Sequence, residues 1–233
     1  MSDALDKIGG LSQLPIFPLP LVMLPNEVLP LHIFEERYRQ MLRDIEHQRS
    51  LFGITFFEPD ESFIEKPAIG SVGCVAEIRE SEMLADGRSN ILTFGVVRYR
   101  LSEYVDTGAP YLVGDVEFFE DDIEDPAEVE PLADDVFKLF ERMAKAAFKL
   151  SGNRGSLPEI PRAAPEALSF LVTAAFNFEN DKKYDLLEMT STSTRLSELK
   201  EILDQTVGQV EESADIRSVS RTNGHSKKKI GPF

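Results

Sequence analysis

The sequence predicts an α+β protein, in which a β-rich N-terminal part is followed by a helical C-terminal part. Apolar residues in the first half alternate or form short runs, which is typical of strands, whereas those after residue 131 recur at helical spacing. One amphipathic helix is predicted among the early strands. Helices do not separate the later strands, so a small, strongly bent sheet or barrel fits better than a parallel α/β layout.

The chain begins with a segment, residues 1–13, that is predicted to be flexible. The apolar, proline-rich run LPIFPLPLVMLP, residues 14–25, follows. Because proline cannot donate to a sheet ladder, this run is predicted to form an edge strand or a broken strand. A helix is predicted from about Phe34 to Gln48. One helical face would carry Phe34, Tyr38, Met41, Leu42 and Ile45.

The rest of the β-rich part, which ends near residue 120, shows four further strand patterns. An Asp-Gly turn signal in Ala85–Arg88 separates two of them. The pattern from Asn90 to Tyr104 is long for a single strand, and Gly95 within it indicates a bulge or bend. The predicted strands are Leu51–Phe57, Ser71–Glu80, Asn90–Tyr104 and Tyr111–Phe119.

An acidic linker, residues 121–131, leads into a helical subdomain, residues 132–212. The acidic residues are interpreted as solvating this segment. Apolar residues from Leu132 to Leu150 follow helical spacing, and the run Ser151–Ser156 predicts a break. Pro165 suits the first position of another helix. A short helix is predicted around Leu186 and Leu187, and Thr192 or Thr194 is predicted to cap a last helix. Residues 213–233 are polar and predicted to be disordered.

Composition excludes several classes of protein. The net charge of −16 opposes non-specific binding to nucleic acid. No apolar run approaches the roughly 20 residues of a membrane-spanning helix. The first residues lack the basic start and apolar centre of a secretory signal, and the single cysteine, Cys74, cannot form an internal disulfide. The sequence therefore predicts a cytoplasmic protein that does not enter a membrane.

No motif for catalysis or for a cofactor stands out. The histidines are His32, His47 and His225, and their spacing does not match a metal site. A phosphate-binding loop and a G-x-S-x-G elbow are both absent. Spacing does not identify a Ser–Lys dyad. Cys74 lies in a predicted strand, where a buried core residue is favoured over a nucleophile. No catalytic residue, metal or cofactor is predicted.

The stretch LPLHIFEERYRQML, residues 29–42, gathers several reactive side chains, but each has a structural interpretation. Glu35 lies in the predicted first turn, where its charge complements the helix dipole. Arg37 follows two residues later and cannot share that helical face directly. We therefore expect Glu35, Arg37 and Tyr38 to attach the helix to the sheet rather than to contact a ligand.

The motif and several later segments together resemble a known family. Residues 14–42, LPIFPLPLVMLPNEVLPLHIFEERYRQML, are similar to the opening of the Lon protease N-terminal domain, also called the Lon substrate-binding domain. Ile16 stands where the family often has Leu, and Asn26 stands where Gly usually follows the proline. Similar segments follow in order: Gly53, IGSVG at 69–73, the DGR turn, GVVRYRL at 95–101 and LLEMTSTSTRLSEL at 186–199. The resemblance covers about residues 14–207.

This resemblance implies a PUA-like β pseudobarrel of about six strands with one early helix, followed by a helical subdomain. In full-length Lon the region precedes an ATPase and a Ser–Lys protease, and it helps to recognise protein substrates. The chain resembles the stand-alone members of the family, which lack both the ATPase domain and the protease domain. No enzymatic activity is therefore expected. Structural roles are implied for the motif residues Pro30, His32, Phe34, Glu35, Arg37, Tyr38, Gly53, Gly73, Gly95 and Arg98.

The leading functional hypothesis is a non-catalytic polypeptide-binding module that acts as an adaptor or quality-control factor in protein degradation. Its expected partners are unfolded or exposed polypeptide segments and an ATP-dependent protease. The predicted binding surface consists of Phe17, Leu19, Leu21, Met23 and Leu24. One alternative is a hydrolase whose site is assembled from distant residues, which casein digestion would reveal. Another is an RNA-binding PUA-like protein, although the net charge and the lack of a basic–aromatic stripe oppose it.

Overall fold

The structure is a computed structural model that describes residues 3–58, 66–151 and 159–223. It divides into two compact units. The sheet unit comprises residues up to 123 together with 169–191, and the helical unit comprises residues 124–168 and those from 192 onwards. In chain order the elements are α1 (Asp3–Ile8), β1 (Gln13–Leu19), β2 (Val28–Ile33), α2 (Glu36–Glu46), β3 (Leu51–Phe56), β4 (Val72–Met83), β5 (Ser89–Tyr104), β6 (Leu112–Phe119), α3 (Pro126–Ser151), α4 (Pro165–Ala175), α5 (Asn180–Glu188) and α6 (Thr192–Asn223).

The six strands form one mixed sheet in the order β2-β5-β4-β3-β1-β6, and β6 also pairs with β5. This second pairing closes the sheet into the pseudobarrel. β5 makes the closure possible because it is long: β2 pairs with its first half, β6 with its second half, and β4 along its other edge. The predicted α+β class, with about six strands followed by a helical C-terminal part, is confirmed.

The proline-rich run is predicted to form an edge strand or a broken strand, and the edge position is wrong for β1, which lies between β3 and β6. The strand ends at Leu19, within the run, which agrees with a broken strand. Its prolines are tolerated because each lies where the strand is paired on one side only. Pro15 pairs with Val113 of β6, and Pro18 pairs with Thr55 of β3. Within the described part of the chain, β2 pairs with β5 alone. β2 is therefore an edge strand.

Gly95 lies beside a bulge, as predicted, because the register between β4 and β5 shifts between Cys74 and Ala76. The loop before β2 closes onto this point. The Asn26 N–H donates to the Gly95 carbonyl at 2.8 Å, and the Gly95 N–H donates to the Glu27 carbonyl at 2.9 Å. A Cβ on Gly95 would collide with the Leu24 carbonyl. Asn26 replaces the family's usual glycine with a φ of 65°, a left-handed conformation that Asn tolerates.

Tyr99 of β5 fills the centre of the barrel. Gly53 on β3 and Gly73 on β4 flank its ring, and a Cβ on either would overlap it. The Tyr99 hydroxyl shares a 2.5 Å hydrogen bond with Thr55. The family glycines Gly53 and Gly73 therefore make room for one fully buried aromatic side chain.

Helix α2 begins two residues later than predicted. Tyr38, Met41 and Ile45 are buried on its inner face, as expected. Phe34 precedes the helix and is 62% exposed, so its predicted place on the buried face is wrong. Glu35 is the N-cap residue and has an extended backbone (φ −70°, ψ 135°). Phe34 therefore lies outside the helix and does not align with the buried residues of its inner face.

Arg98 of β5 is fully buried, which supports the structural role implied for it. Its guanidinium donates to the carbonyls of Leu187 and Met189, at 3.0 and 2.6 Å, and pairs with the Asp121 carboxylate. The same guanidinium lies over the ring of Phe119. One side chain thus ties the end of α5 and the chain after β6 to the barrel.

The segment predicted as an acidic linker, 121–131, instead makes specific contacts. Asp122 accepts a hydrogen bond from the Thr190 hydroxyl at 2.7 Å. Glu124 accepts from both the backbone N–H and the hydroxyl of Ser193 at 2.8 Å, at the first turn of α6. Asp125 accepts from the Ala127 N–H and so caps α3, which begins at Pro126. Solvation therefore does not account for these carboxylates.

In the helical unit, α3 packs against α6. Their buried apolar faces carry Val129, Ala133, Val136, Leu139, Leu196, Leu199, Leu203 and Val207. Arg142 pairs with both carboxylate oxygens of Glu211, at 2.9 and 3.0 Å, and Lys200 pairs with Asp135 at 2.7 Å. α4 begins at Pro165, in agreement with the sequence analysis, whereas Thr192, which was expected as a cap, is the first helical residue of α6.

Three segments differ from the domain boundaries expected. Residues 3–8 of the segment predicted to be flexible form α1, whose Ile8 is buried. Residues 169–191 join the sheet unit, because Phe170 and Leu187 pack in one cluster with Val72 of β4. α6 continues through residues 213–223, which were expected to be disordered. Residues 224–233, and residues 152–156 of the predicted break, lie outside the described residues.

Candidate polypeptide-binding surface

The binding surface predicted from the sequence is mostly core. Phe17, Met23 and Leu24 are buried, and Phe17 lies against Tyr38 of α2 with 4.0 Å between ring centroids. Leu19 and Leu21 are half-buried and pack against the same cluster. The assignment of these five residues to a surface is therefore corrected. Helix α2 covers Phe17 and Met23, whereas Leu24 packs in a second cluster with Val72 and Phe170.

An exposed apolar surface does occur, on the outer face of β2. Along this strand Leu29, Leu31 and Ile33 point inward to the core cluster. The alternate residues point outward: Val28 is 57% exposed, and Pro30 and His32 are exposed. Phe34 continues this row beyond the end of the strand. We define the β2 surface as Val28, Pro30, His32, Phe34, Asn90 and Leu92, since Asn90 and Leu92 of β5 pair with His32 and Pro30.

His32 contacts Phe34, the aromatic residue of the β2 surface. Its ring stacks on Phe34, with centroids 6.2 Å apart and 23° between planes. His32 Nδ1 lies 2.8 Å from Asn90 Oδ1, and Arg88 Nη1 lies 3.4 Å from His32 Nε2. Because the Asn oxygen only accepts and the Arg nitrogen only donates, the neutral ring carries its proton on Nδ1. These contacts hold the stack in place with Phe34 facing outward.

Glu35 and Arg37, which follow Phe34 in the chain, form an ion pair. Arg37 Nε donates to Glu35 Oε2 at 2.9 Å, and the Arg37 guanidinium lies 4.6 Å from the centre of the Tyr38 ring. Arg37 reaches the Glu35 carboxylate although the two residues do not share a helical face, because Glu35 is extended rather than helical. The structural role expected for Tyr38 agrees with its burial.

The free edge of β2 adds backbone groups to this surface. Within the described residues, the strand has no partner on the side away from β5. Proline lacks an N–H, so Pro30 offers a partner only its carbonyl. Proline on an exposed edge also limits uncontrolled pairing with other strands. An extended segment could therefore gain some backbone hydrogen bonds here, but recognition would depend chiefly on side chains.

Several other kinds of site receive no support. Cys74 is fully buried, and burial raises the pKa of its thiol, which disfavours a reactive thiolate. Within the described ranges, no three side chains among His, Cys, Asp and Glu are grouped as metal ligands would be. No described helix is both long enough and apolar enough to span a membrane.

A small cavity lies between α2 and the β4–β5 hairpin. It holds about 110 Å³ and is lined by residues that include Arg39, Leu42, Ile78 and Met83. Pockets for small organic ligands are typically about 300–1,000 Å³. The cavity is therefore too small for such a ligand, and the β2 surface is the stronger candidate.

Comparison with known proteins identifies the family of this chain. The model of the ATP-dependent protease La (LON) substrate-binding domain matches residues 13–205. The chain belongs to this family. Two Lon proteases are among its similar relatives. That of Parabacteroides distasonis is 24% identical over 220 residues, and that of Cytophaga hutchinsonii is 25% identical over 232 residues.

These alignments cover 85% and 94% of the chain but only 26% and 27% of the two proteases. The chain thus spans about a quarter of the length of these relatives. Solved structures share the Lon substrate-binding domain fold. A Lon N-terminal domain protein from Xanthomonas campestris superposes with a TM-score of 0.58 at 22% identity, covering 81% of this chain and 97% of that one. The N-terminal domain of Mycobacterium avium complex Lon protease gives 0.62 at 20% identity, covering 82% and 98%.

Proposed function

We propose that this Lon substrate-binding domain protein binds exposed apolar polypeptide segments on its β2 surface. The observation that carries the proposal is the exposure of Val28 and Phe34 on a strand whose other face is core. Membership of a substrate-binding family supports the same class of ligand.

The energetics suit weak, general recognition of unfolded chains. Fully burying a side chain such as Val or Phe contributes about 1.5–3 kcal/mol, and these two are more than half exposed. The free edge of β2 can supply backbone hydrogen bonds to an extended segment, as in other cases of strand addition. Backbone bonding does not depend on sequence, so such a surface would accept many clients.

We infer further that the protein delivers bound segments for degradation and does not cleave them itself. This role, as an adaptor or quality-control factor for an ATP-dependent protease, rests on the family alone. Labelled casein incubated with the purified protein, with or without ATP, should remain intact. Cleavage that persists in a clean preparation would contradict the non-enzymatic role but leave the binding surface intact.

The binding proposal is tested by fluorescence anisotropy of a labelled, permanently unfolded polypeptide. The double variant Val28→Ser, Phe34→Ser should weaken binding at least about tenfold, since central aromatic anchors carry most of the energy of an interface. The matched control is Ile69→Ser, Met83→Ser, which removes two equally exposed apolar side chains outside the β2 surface. Equal affinities for both variants, or no saturable binding by the unmodified protein, would overturn the proposal.

A further inference from the structure

Two carboxylates border the β2 surface on its β4 side. Glu80 pairs across the ladder with Leu92, and Glu82 pairs with Asn90. Residues directly opposite each other in a sheet share a face, so both carboxylates lie on the same side as the β2 surface. Both residues are exposed, and neither makes an ion pair with any described residue. They face solvent at the margin of an apolar strip.

Each of the neighbouring cations is paired with a carboxylate. Arg37 pairs with Glu35 at 2.8 Å. Arg79 pairs with Glu77 at 2.8 Å, and Arg88 pairs with Asp86 at 2.6 Å. The Arg37–Glu35 and Arg88–Asp86 pairs have no net charge, whereas Glu77 is shared by Arg79 and Lys7, which leaves one positive charge. Glu80 and Glu82 are unpaired among the described residues, and their two negative charges exceed that single positive charge.

The distances suit a ligand that carries both apolar and basic groups. Adjacent strands lie about 4.8 Å apart, so Glu80 lies one strand from Leu92 and two strands from Pro30. A long Lys or Arg side chain of a bound segment can span this distance while an apolar neighbour covers Leu92 and Pro30. The other end of the outer face is less open, since α1 contacts β5 and its Lys7 already pairs with Glu77.

We propose that the β2 surface selects apolar polypeptide segments flanked by lysine or arginine, with Glu80 and Glu82 as the groups that select the basic residues. This inference rests on the proposed function and specifies the class of segment. Exposed ion pairs contribute modestly, so two of them should improve affinity by about fivefold at low salt. The gain should fade as salt rises, because screening extends over about 10 Å at 0.1 M.

The test uses three peptides with one shared apolar core and flanks of Lys, Ser or Asp. With the unmodified protein at low salt, the Lys-flanked peptide should bind about fivefold more tightly than the Ser-flanked peptide, and the Asp-flanked peptide more weakly still. Glu80→Gln, Glu82→Gln should abolish this ranking and leave the affinity for the Ser-flanked peptide unchanged.

A matched control separates local selection from the overall charge of −16. Glu103→Gln, Glu117→Gln removes two exposed carboxylates from β5 and β6, outside the β2 surface, and changes the net charge equally. This variant should keep the ranking. The inference is overturned if both double variants reduce the ranking equally, or if all three peptides bind alike. In the second case, loss of Ser-flanked binding on Val28→Ser, Phe34→Ser still supports the proposed function, whereas no binding by any peptide contradicts both.

Discussion

The two faces of strand β2 show how one short sequence serves two purposes. On the inner face, Ile33 is buried at 1% exposure and contributes to the core that also contains Tyr38. On the outer face, Val28 is 57% exposed, and Phe34, just beyond the strand, is 62% exposed. Because side chains alternate along a strand, the inner row provides stability and leaves the outer row available for binding. Changes to the two rows should therefore have separable effects.

The largest expected effect is on the inner side. Tyr38→Ala should lower the free energy of unfolding by about 3–5 kcal/mol, since it removes a buried ring that packs against Phe17. Phe34→Ala, a matched removal of an aromatic ring four residues away, should cost less than about 1 kcal/mol because its ring is exposed. Denaturant unfolding measures both. Equal losses in the two variants would contradict the assignment of the two rings to opposite faces.

A smaller loss is expected where a methyl group is added to the core. In Gly73→Ala the new Cβ would lie 2.5 Å from the Ile54 carbonyl oxygen and 2.6 Å from Tyr99 Cζ. Such overpacking should cost about 1–3 kcal/mol in a denaturant melt. Gly208→Ala in α6 is the control, since nothing lies within 4 Å of its added Cβ, and it should stabilise slightly. If Gly73→Ala leaves the free energy of unfolding unchanged, the centre of the barrel is less tightly packed than described.

An effect that is absent at neutral pH concerns the phenols and appears only at high pH. The pKa values of all five tyrosines are raised, chiefly by burial, and those of Tyr104 and Tyr111 reach about 12. In the unfolded chain a tyrosine ionises near pH 10. Their contribution to stability is therefore complete below about pH 10 and is lost as the pH rises towards 12.

Ultraviolet absorbance of tyrosinate measures this titration. In the folded protein the tyrosinate signal should rise well above pH 10, and it should rise together with unfolding. A folded protein whose five phenols all titrate near pH 10 would contradict the burial of the Tyr38 and Tyr99 rings.

Much of the fold could be predicted because its signals are local. Alternation and turn residues placed β3, β5 and β6 within a residue or two, and Pro165 marked the first residue of α4. The partners of β1 could not be predicted in this way. Its central position depends on pairing with β3 and with the distant β6, and its prolines are tolerated only because each half is paired on one side.

The binding surface was harder to predict than the fold. Apolar runs such as residues 17–24 are equally consistent with core and surface, and tertiary packing, against α2 for Phe17 and against Phe170 for Leu24, decides between them. Phe34 fitted the helical stripe by spacing, but the extended Glu35 places it outside the helix. A signal was nevertheless present: in VLPLHI the residues Leu29, Leu31 and Ile33 alternate with residues of other types, which is typical of a strand with one buried face.

The central claim is that the β2 surface binds polypeptide, and mapping a bound peptide onto the backbone tests it most directly. Backbone amide chemical shifts would be followed while an uncharged apolar peptide is titrated into the isotopically labelled protein. We predict that the largest changes fall on the amides of Val28–Phe34, apart from Pro30, which has none, and on those of Asn90 and Leu92, with little change at Ile69 or Met83. Saturable changes centred elsewhere, for example in the helical unit, would contradict the claim.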